Sequence, residues 1–170
     1  MSDQKTVTSR GNVLNLVGEN ISIGQKAPDF SAIGLDGQLK SISDFAGKTI
    51  IISAVPCLDT GVCDMETRRF NEIAGQLGDD VVILTISVDL PPAQKRWCGA
   101  TGVDKVVLLS DHRTVSFGTN YGVLIKEWRQ LARSVFIVDK KGILQYNQLV
   151  PDIAQQPDYD DVIAATKKLM

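Results

Sequence analysis

Residues 56 to 63, Pro56-Cys57-Leu58-Asp59-Thr60-Gly61-Val62-Cys63, run out of an apolar strand and into a helix. The first turn of a helix leaves backbone N–H groups unpaired and collects partial positive charge. With Thr60 as N-cap, Cys63 is the third helical residue, where a capping box would place the acceptor side chain of Glu or Gln. This chain supplies sulfur at that position. An unperturbed thiol, with a pKa of about 8.5, is only roughly 3% thiolate at neutral pH, and helix N-termini with nearby cations bring cysteines down to about 3.5 to 7.5. Moving from about 8.5 to about 7 takes roughly 2 kcal/mol of preference for the anion, within reach of a helix end and one Arg. The other reading of Cys63 is a small apolar core residue with no reactivity.

Two more thiols, Cys57 and Cys98, complete the cysteines. Three cysteines do not make a disulfide framework, so in a reducing compartment they are filler or chemistry. No C-x-x-C pair occurs and His112 is the only histidine, which argues against a zinc site and against a disulfide reductase of the C-x-x-C kind. No Gly-rich phosphate loop or dinucleotide fingerprint follows a strand. No metal and no organic cofactor are expected.

The elements that must position these thiols follow from hydrophobic pattern. Residues 5 to 17 alternate around Gly11-Asn12 and predict a small hairpin of Val7–Ser9 and Val13–Val17. Pro28-Asp29-Phe30 opens an extended segment to Ile33, and Gly34-Leu35-Asp36-Gly37 turns it toward Leu39 and Ile42. Thr49–Val55 is a continuous apolar run, the mark of a strand buried on both faces. The helix after it carries Cys63, Thr67, Phe70, Ala74 and Leu77 on one stripe. Asp64 and Glu66 are expected to face solvent in its first turns.

Val81–Val88 repeats the buried-strand pattern, and Asp89-Leu90-Pro91-Pro92 starts a second, short helix. That helix carries Trp97 and Cys98, with Gly99 and Gly102 close behind. Few contacts are expected to hold its end, so local opening should be cheap. Val106–Leu109 predicts a third buried strand, Val115–Phe117 a helical piece, Ser134–Val138 and Ile143–Val150 an antiparallel hairpin, and Asp158–Leu169 a last helix. Alternating strands and helices indicate an α/β fold with a central mixed sheet covered on both sides.

At 170 residues, 44% hydrophobic and 22% charged, the expectation is one domain spanning 1–170. A net charge of -2 with mixed signs gives no electrostatic footprint for nucleic acid and no polybasic membrane patch. The polar start Met1-Ser2-Asp3-Gln4-Lys5-Thr6 lacks the apolar core of a secretory signal, and no run is long enough to span a membrane. The expected location is cytoplasmic.

PCLDTGVC at 56 to 63, then Trp97-Cys98-Gly99-Ala100, then Leu131-Ala132-Arg133-Ser134-Val135, in that order, resemble the bacterial thiol peroxidases, atypical 2-Cys peroxiredoxins. The likeness runs from the N-terminal hairpin to Gln148-Leu149-Val150 and Pro157-Asp158-Tyr159. It implies a thioredoxin-like fold, Cys63 as peroxidatic cysteine and Cys98 as resolving cysteine. It also implies an active-site Arg133, a Thr60 hydroxyl aimed at the reacting atoms and a Pro56 that shields the pocket. Without the resemblance Thr60 reads as a helix cap, Arg133 as a surface ion pair and Pro56 as a strand terminator. Implied further are a peroxide substrate, an intramolecular Cys63–Cys98 disulfide, thioredoxin as reductant and a homodimer. Since cysteines with α-carbons beyond about 7 Å cannot be bridged without backbone movement, the first turns of both helices are expected to loosen in each cycle. Cys57 departs from the pattern, which expects a residue such as Ser there. It is either a neutral small-residue replacement or an alternative resolving thiol. A second functional reading is a redox-responsive interaction protein or peroxide sensor that uses the same disulfide.

Overall fold

The structure, a computed structural model, describes residues 5–170; the first four residues of the polar start lie outside them. The expected hairpin is present as β1 (Thr6–Ser9) and β2 (Asn12–Val17), with Ser9 opposite Asn12. Its two-residue turn is Arg10-Gly11 rather than Gly11-Asn12. Both turn residues have positive φ, 51° and 86°, the primed-turn geometry that matches strand twist.

Next come β3 (Ala32–Gly34) and β4 (Leu39–Lys40), antiparallel to each other, and a 3-10 turn at Ile42–Phe45. The apolar run becomes β5 (Thr49–Ala54), buried at every residue, and leads into α1 (Gly61–Leu77). β6 (Val81–Ser87), α2 (Pro91–Thr101) and β7 (Val107–Ser110) follow. The chain ends with α3 (Ser116–Asn120), β8 (Leu124–Ile125), β9 (Ser134–Val138), β10 (Leu144–Leu149) and α4 (Tyr159–Lys167).

Seven strands form one mixed sheet in the order β10-β9-β5-β6-β7-β3-β4. β5, β6 and β7 run parallel, and antiparallel strands flank them on both sides. Side chains alternate across a strand, and β5 shows the result. Ile50, Ile52 and Ala54 enter one core with Phe117, Tyr121 and Phe136, while Ile51 and Val55 enter the other with Phe70, Ile73 and Val162. Helices α1, α2 and α4 supply residues to the second core; the hairpin and α3 supply residues to the first.

β8 went unseen in the sequence because two residues carry no period. It pairs with β2 through Leu16–Ile125 and Val17–Leu124, making the hairpin a three-stranded sheet. Backbones touch closely where the hairpin leaves: a Cβ on Gly18 would lie 2.2 Å from the Thr119 carbonyl oxygen, and one on Gly122 would lie 2.2 Å from that of Glu19. Both glycines also have positive φ, so no other residue fits this crossing without strain. Among the described residues no helix is long and apolar enough to cross a membrane.

Asp152 fastens the hairpin to the segment after β10. Its carboxylate accepts the Thr8 hydroxyl at 2.8 Å, the N–H groups of Arg10 and Gly11 at 3.2 Å each, and the Ala154 N–H at 2.9 Å. These donors, Ala154 first, pull its pKa down to about 2. Because an unfolded Asp titrates near 3.9, the tie is at full strength above about pH 4 and is lost as pH falls through about 2. Amide protection at Arg10 and Gly11 should therefore fall over that window faster than protection in β5. Asp152→Ala should give the same loosened hairpin at neutral pH, as read by hydrogen exchange.

Candidate active site

Strand β5 delivers the chain to the site. Val55 N–H still bonds the Ile86 carbonyl at 3.0 Å, after which buried Pro56 ends the pairing, as a residue without N–H must. A turn follows, with Thr60 N–H on the Cys57 carbonyl at 3.2 Å. Thr60 is the N-cap in extended conformation, so Cys63 is the third residue of α1, as the sequence implied. Cys63 has 0% exposure.

Arg133 reaches the same place through sheet register. Antiparallel pairing sets Ala54 opposite Ser134, so the residue before β9 stands where the chain leaves β5 for Cys63. Its carbonyl accepts Val150 N–H at 3.0 Å, and its guanidinium is spread over three acceptors. Nε donates to the Ile153 carbonyl at 2.9 Å, Nη1 to Glu66 Oε2 at 2.5 Å and Nη2 to Cys63 Sγ at 3.3 Å. With 2% exposure, Arg133 is no surface ion pair.

Glu66 does not face solvent. It is fully buried, pairs with Arg133 and accepts the Ser53 hydroxyl at 3.0 Å. Helical spacing explains it: Glu66 lies three residues after Cys63 and four before Phe70, on the face that turns inward. Burial pushes its carboxyl up, with Arg133 and Ser53 pulling the other way. Burial opposes the charge on Arg133 too, but Glu66 and then Cys63 more than offset it, and its pKa is raised. The group beside the sulfur is a held cation.

Thr60 is exposed, and its hydroxyl donates to the Cys57 carbonyl at 2.9 Å rather than to Cys63. It caps α1 through its backbone alone. Asp64 is half-buried, not turned to solvent: Oδ1 accepts the Trp97 indole N–H at 3.0 Å and Oδ2 accepts Arg68 Nε at 2.8 Å. That bond corrects the reading of α2 as loosely held. Trp97 is 8% exposed, and the helix continues through Gly99 to Thr101, capped by left-handed Gly102. Cys98 stands in its last turns rather than its first, half-buried, with burial raising its pKa.

All three cysteines are free thiols. Cys57 donates to Asp89 Oδ1 at 3.3 Å, and burial foremost, then Asp89, push it up to about 11 against a bond from the Asp59 backbone. It is a neutral thiol doing what a Ser hydroxyl would do there. Sequence reasoning passed over Asp89, whose only signal was its place just before a Pro-Pro helix start.

The redoxin family matches residues 22–163 of this chain. The thiol peroxidase of Bacillus subtilis (strain 168) is 51% identical over 164 residues, 96% of this chain and 98% of that one. The thiol peroxidase of Listeria innocua is 49% identical over 162 residues, 95% and 98% of the two chains. The crystal structure of a peroxiredoxin-like protein from Aquifex aeolicus superposes with a TM-score of 0.91 at 40% identity, covering 97% of each chain. The chain belongs to the thiol peroxidases of the redoxin family. Its mixed sheet and four helices are the thioredoxin-like fold of that family.

In this thiol peroxidase relative the charge on Arg133 is tolerable only while Glu66 answers it. Removing one partner of a buried pair costs about 3–5 kcal/mol, because the other charge is left uncompensated. Glu66→Ala should lower the unfolding free energy by about that much in urea titrations. Glu66→Gln, which keeps both hydrogen-bonding positions, should cost less. Cys57→Ser, which keeps a donor for Asp89, should change the unfolding free energy by less than about 1 kcal/mol, the centre of the range for point substitutions.

Proposed function

We propose that Cys63 is the peroxidatic cysteine of a thiol peroxidase and Cys98 its resolving partner. This chain is a thiol-dependent peroxidase by family, and the observation that supports Cys63 as its nucleophile is the 3.3 Å bond from Arg133 Nη2 to Sγ. In the first step the Cys63 thiolate attacks one oxygen of a hydroperoxide. An S–O bond forms as the O–O bond breaks, sulfur is oxidised to sulfenic acid, and the departing oxygen takes a proton to leave as water or alcohol. Negative charge grows on that oxygen, so a fixed cation and fixed donors lower the barrier.

Arg133 supplies both, being permanently charged and already oriented by Glu66 and the Ile153 carbonyl. The Thr60 hydroxyl, three residues ahead of the sulfur, turns from the Cys57 carbonyl to the peroxide when one binds. Pro56 closes the strand side of the pocket.

In the second step the Cys98 thiol attacks the sulfenic sulfur, the S–S bond forms, and water leaves with the hydroxyl and the thiol proton. A dithiol protein reduces the disulfide by exchange. Thioredoxin as that reductant, hydrogen peroxide and organic hydroperoxides as substrates, a homodimeric assembly and a cytoplasmic location follow from the resemblance of the motifs.

Removing one oriented donor of this kind costs about 10²–10³ in rate. Arg133→Gln should therefore lower kcat/KM by that factor in steady-state peroxide consumption with thioredoxin and its reductase. Cys63→Ser should abolish turnover. A nonreducing digest after one equivalent of peroxide should recover a Cys63–Cys98 linked peptide; recovery of Cys57–Cys63 instead would overturn the assignment of Cys98. A chain that forms the disulfide once but does not turn over would be a peroxide sensor.

A further inference from the structure

The residue after Cys63 and the residue before Cys98 are hydrogen-bonded to each other: Trp97 Nε1 donates to Asp64 Oδ1 at 3.0 Å. Neighbours on a helix are turned about 100° apart. With 64 and 97 facing each other, neither sulfur lies along that bond: Cys63 is fully buried against Arg133, and Cys98 is half-buried at the edge of the same core. Both sulfurs are free thiols in the arrangement that bonds Asp64 to Trp97.

A second carboxylate ties the same two elements at the other end of α2. Asp89 accepts Leu58 N–H at 2.9 Å and the Cys57 thiol at 3.3 Å, both from the turn that leads to Cys63. It is fixed in turn by the Ser87 hydroxyl at 2.6 Å, and its carbonyl accepts the Ser110 hydroxyl at 2.6 Å. Gln94, in the first turns of α2, bonds Ser87 Oγ at 3.1 Å and the Leu109 carbonyl at 3.0 Å. Each cysteine-bearing segment thus sends one carboxylate to the other. A cleft of about 270 Å³, lined in part by Leu58, Asp59, Asp89, Arg96 and Trp97, runs between them. Water entering there can take over the freed donors and acceptors, which keeps the net cost of opening small.

We propose that Asp64 and Asp89 are positioning residues, two points of a latch that holds the reduced arrangement, and that its release is the step that lets Cys98 reach Cys63. The proposal rests on Cys98 being the resolving thiol. While the latch is shut, Cys63 keeps its bond to Arg133; once sulfenic acid has formed, opening competes with attack by a second peroxide. The bond made is Cys98 S to Cys63 S, the bond broken is Cys63 S–O, and water carries off the hydroxyl and the thiol proton.

The test uses the full chain with Trp128→Phe, which leaves Trp97 as its only tryptophan. After one equivalent of peroxide, Trp97 emission is followed by stopped flow, and acid-quenched samples are digested for the Cys63–Cys98 peptide. Emission should change at the rate at which the linked peptide appears. Asp64→Ala and Asp89→Ala should form the disulfide about tenfold faster, the worth of one hydrogen bond to a charged group, and accumulate less sulfinic Cys63 in excess peroxide. Asp64→Asn and Asp89→Asn, whose neutral amide oxygens still accept from Trp97 and Leu58 but more weakly, should fall between wild type and the alanine variants. Trp97→Phe, which keeps a ring in the core and removes the N–H, should match Asp64→Ala by mass analysis even where an alanine variant does not fold. Rates within twofold of wild type in Asp64→Ala, Asp89→Ala and Trp97→Phe, or Trp97 emission unmoved by disulfide formation, overturn the latch while Cys98 keeps its role. No Cys63–Cys98 peptide from wild type overturns that role and the latch with it.

Discussion

A guanidinium with almost no contact with water is the constraint from which the rest follows. Burying an unpaired charge costs many kcal/mol, so Arg133 can sit beside Cys63 only if acceptors meet it from several directions. Glu66 meets one nitrogen, the Ile153 carbonyl a second, and the sulfur is what the third is left to face. The carboxylate answers part of the charge and leaves the remainder directed at Sγ. Low dielectric makes that remainder matter more than it would in water.

The sheet exists in the form it does, as far as function is concerned, to bring these three groups to one edge. Parallel β5 and β6 place the N-terminus of α1 at the carboxyl ends of the strands, where open α/β sheets leave room for ligands. Antiparallel β9 then runs the other way, so its start, and Arg133, lie at that same end. A one-residue slip of β9 against β5 would turn every side chain of the strand to the opposite face. Five buried side chains in a row on β9 make such a slip costly, so the apolar register also fixes the position of Arg133.

Most of this frame was legible because its apolar runs and helical stripes are long. The three parallel strands, the long first helix and the β9–β10 hairpin were all read from runs of four residues or more, and their bounds shifted by about a residue. Cys63 at the third position of α1 followed from Thr60 and the helix start. What escaped was polar and non-local. Glu66 was read as an acid of the first turns facing solvent, although its spacing from Cys63 and Phe70 already put it on the inner stripe. Trp97 was read as the end of a weak helix, because nothing in a sequence says that an indole N–H will find Asp64, 33 residues away. Thr60 kept its place but not its bond. A hydroxyl can accept or donate to whatever is nearest, and the acceptor it meets is the Cys57 carbonyl of its own turn.

In the proposed cycle a cysteine with no exposed surface meets both a peroxide and a second thiol, and the two meetings ask for opposite things. The first needs the site closed, since the held cation loses its leverage once water surrounds it. The second needs backbone movement, since Cys98 lies on another helix with its own partners. Bonds that are modest and few reconcile the two. Leu58 and Trp97 pack in the same core as Cys63. Each carboxylate hydrogen bond at the edge of the cleft adds a modest net amount because water recovers part of it on opening, enough to hold the closed state yet small enough to be given up. The segments divide accordingly: the inner face of α1 carries Phe70, Ile73 and Leu77 into the core with Glu66 as its buried charge, while Asp64, Asp89 and Gln94 gather where the two cysteine-bearing segments meet. Cys57 fits the same logic, because a neutral thiol on Asp89 adds a contact to the closed state without adding a charge to the site.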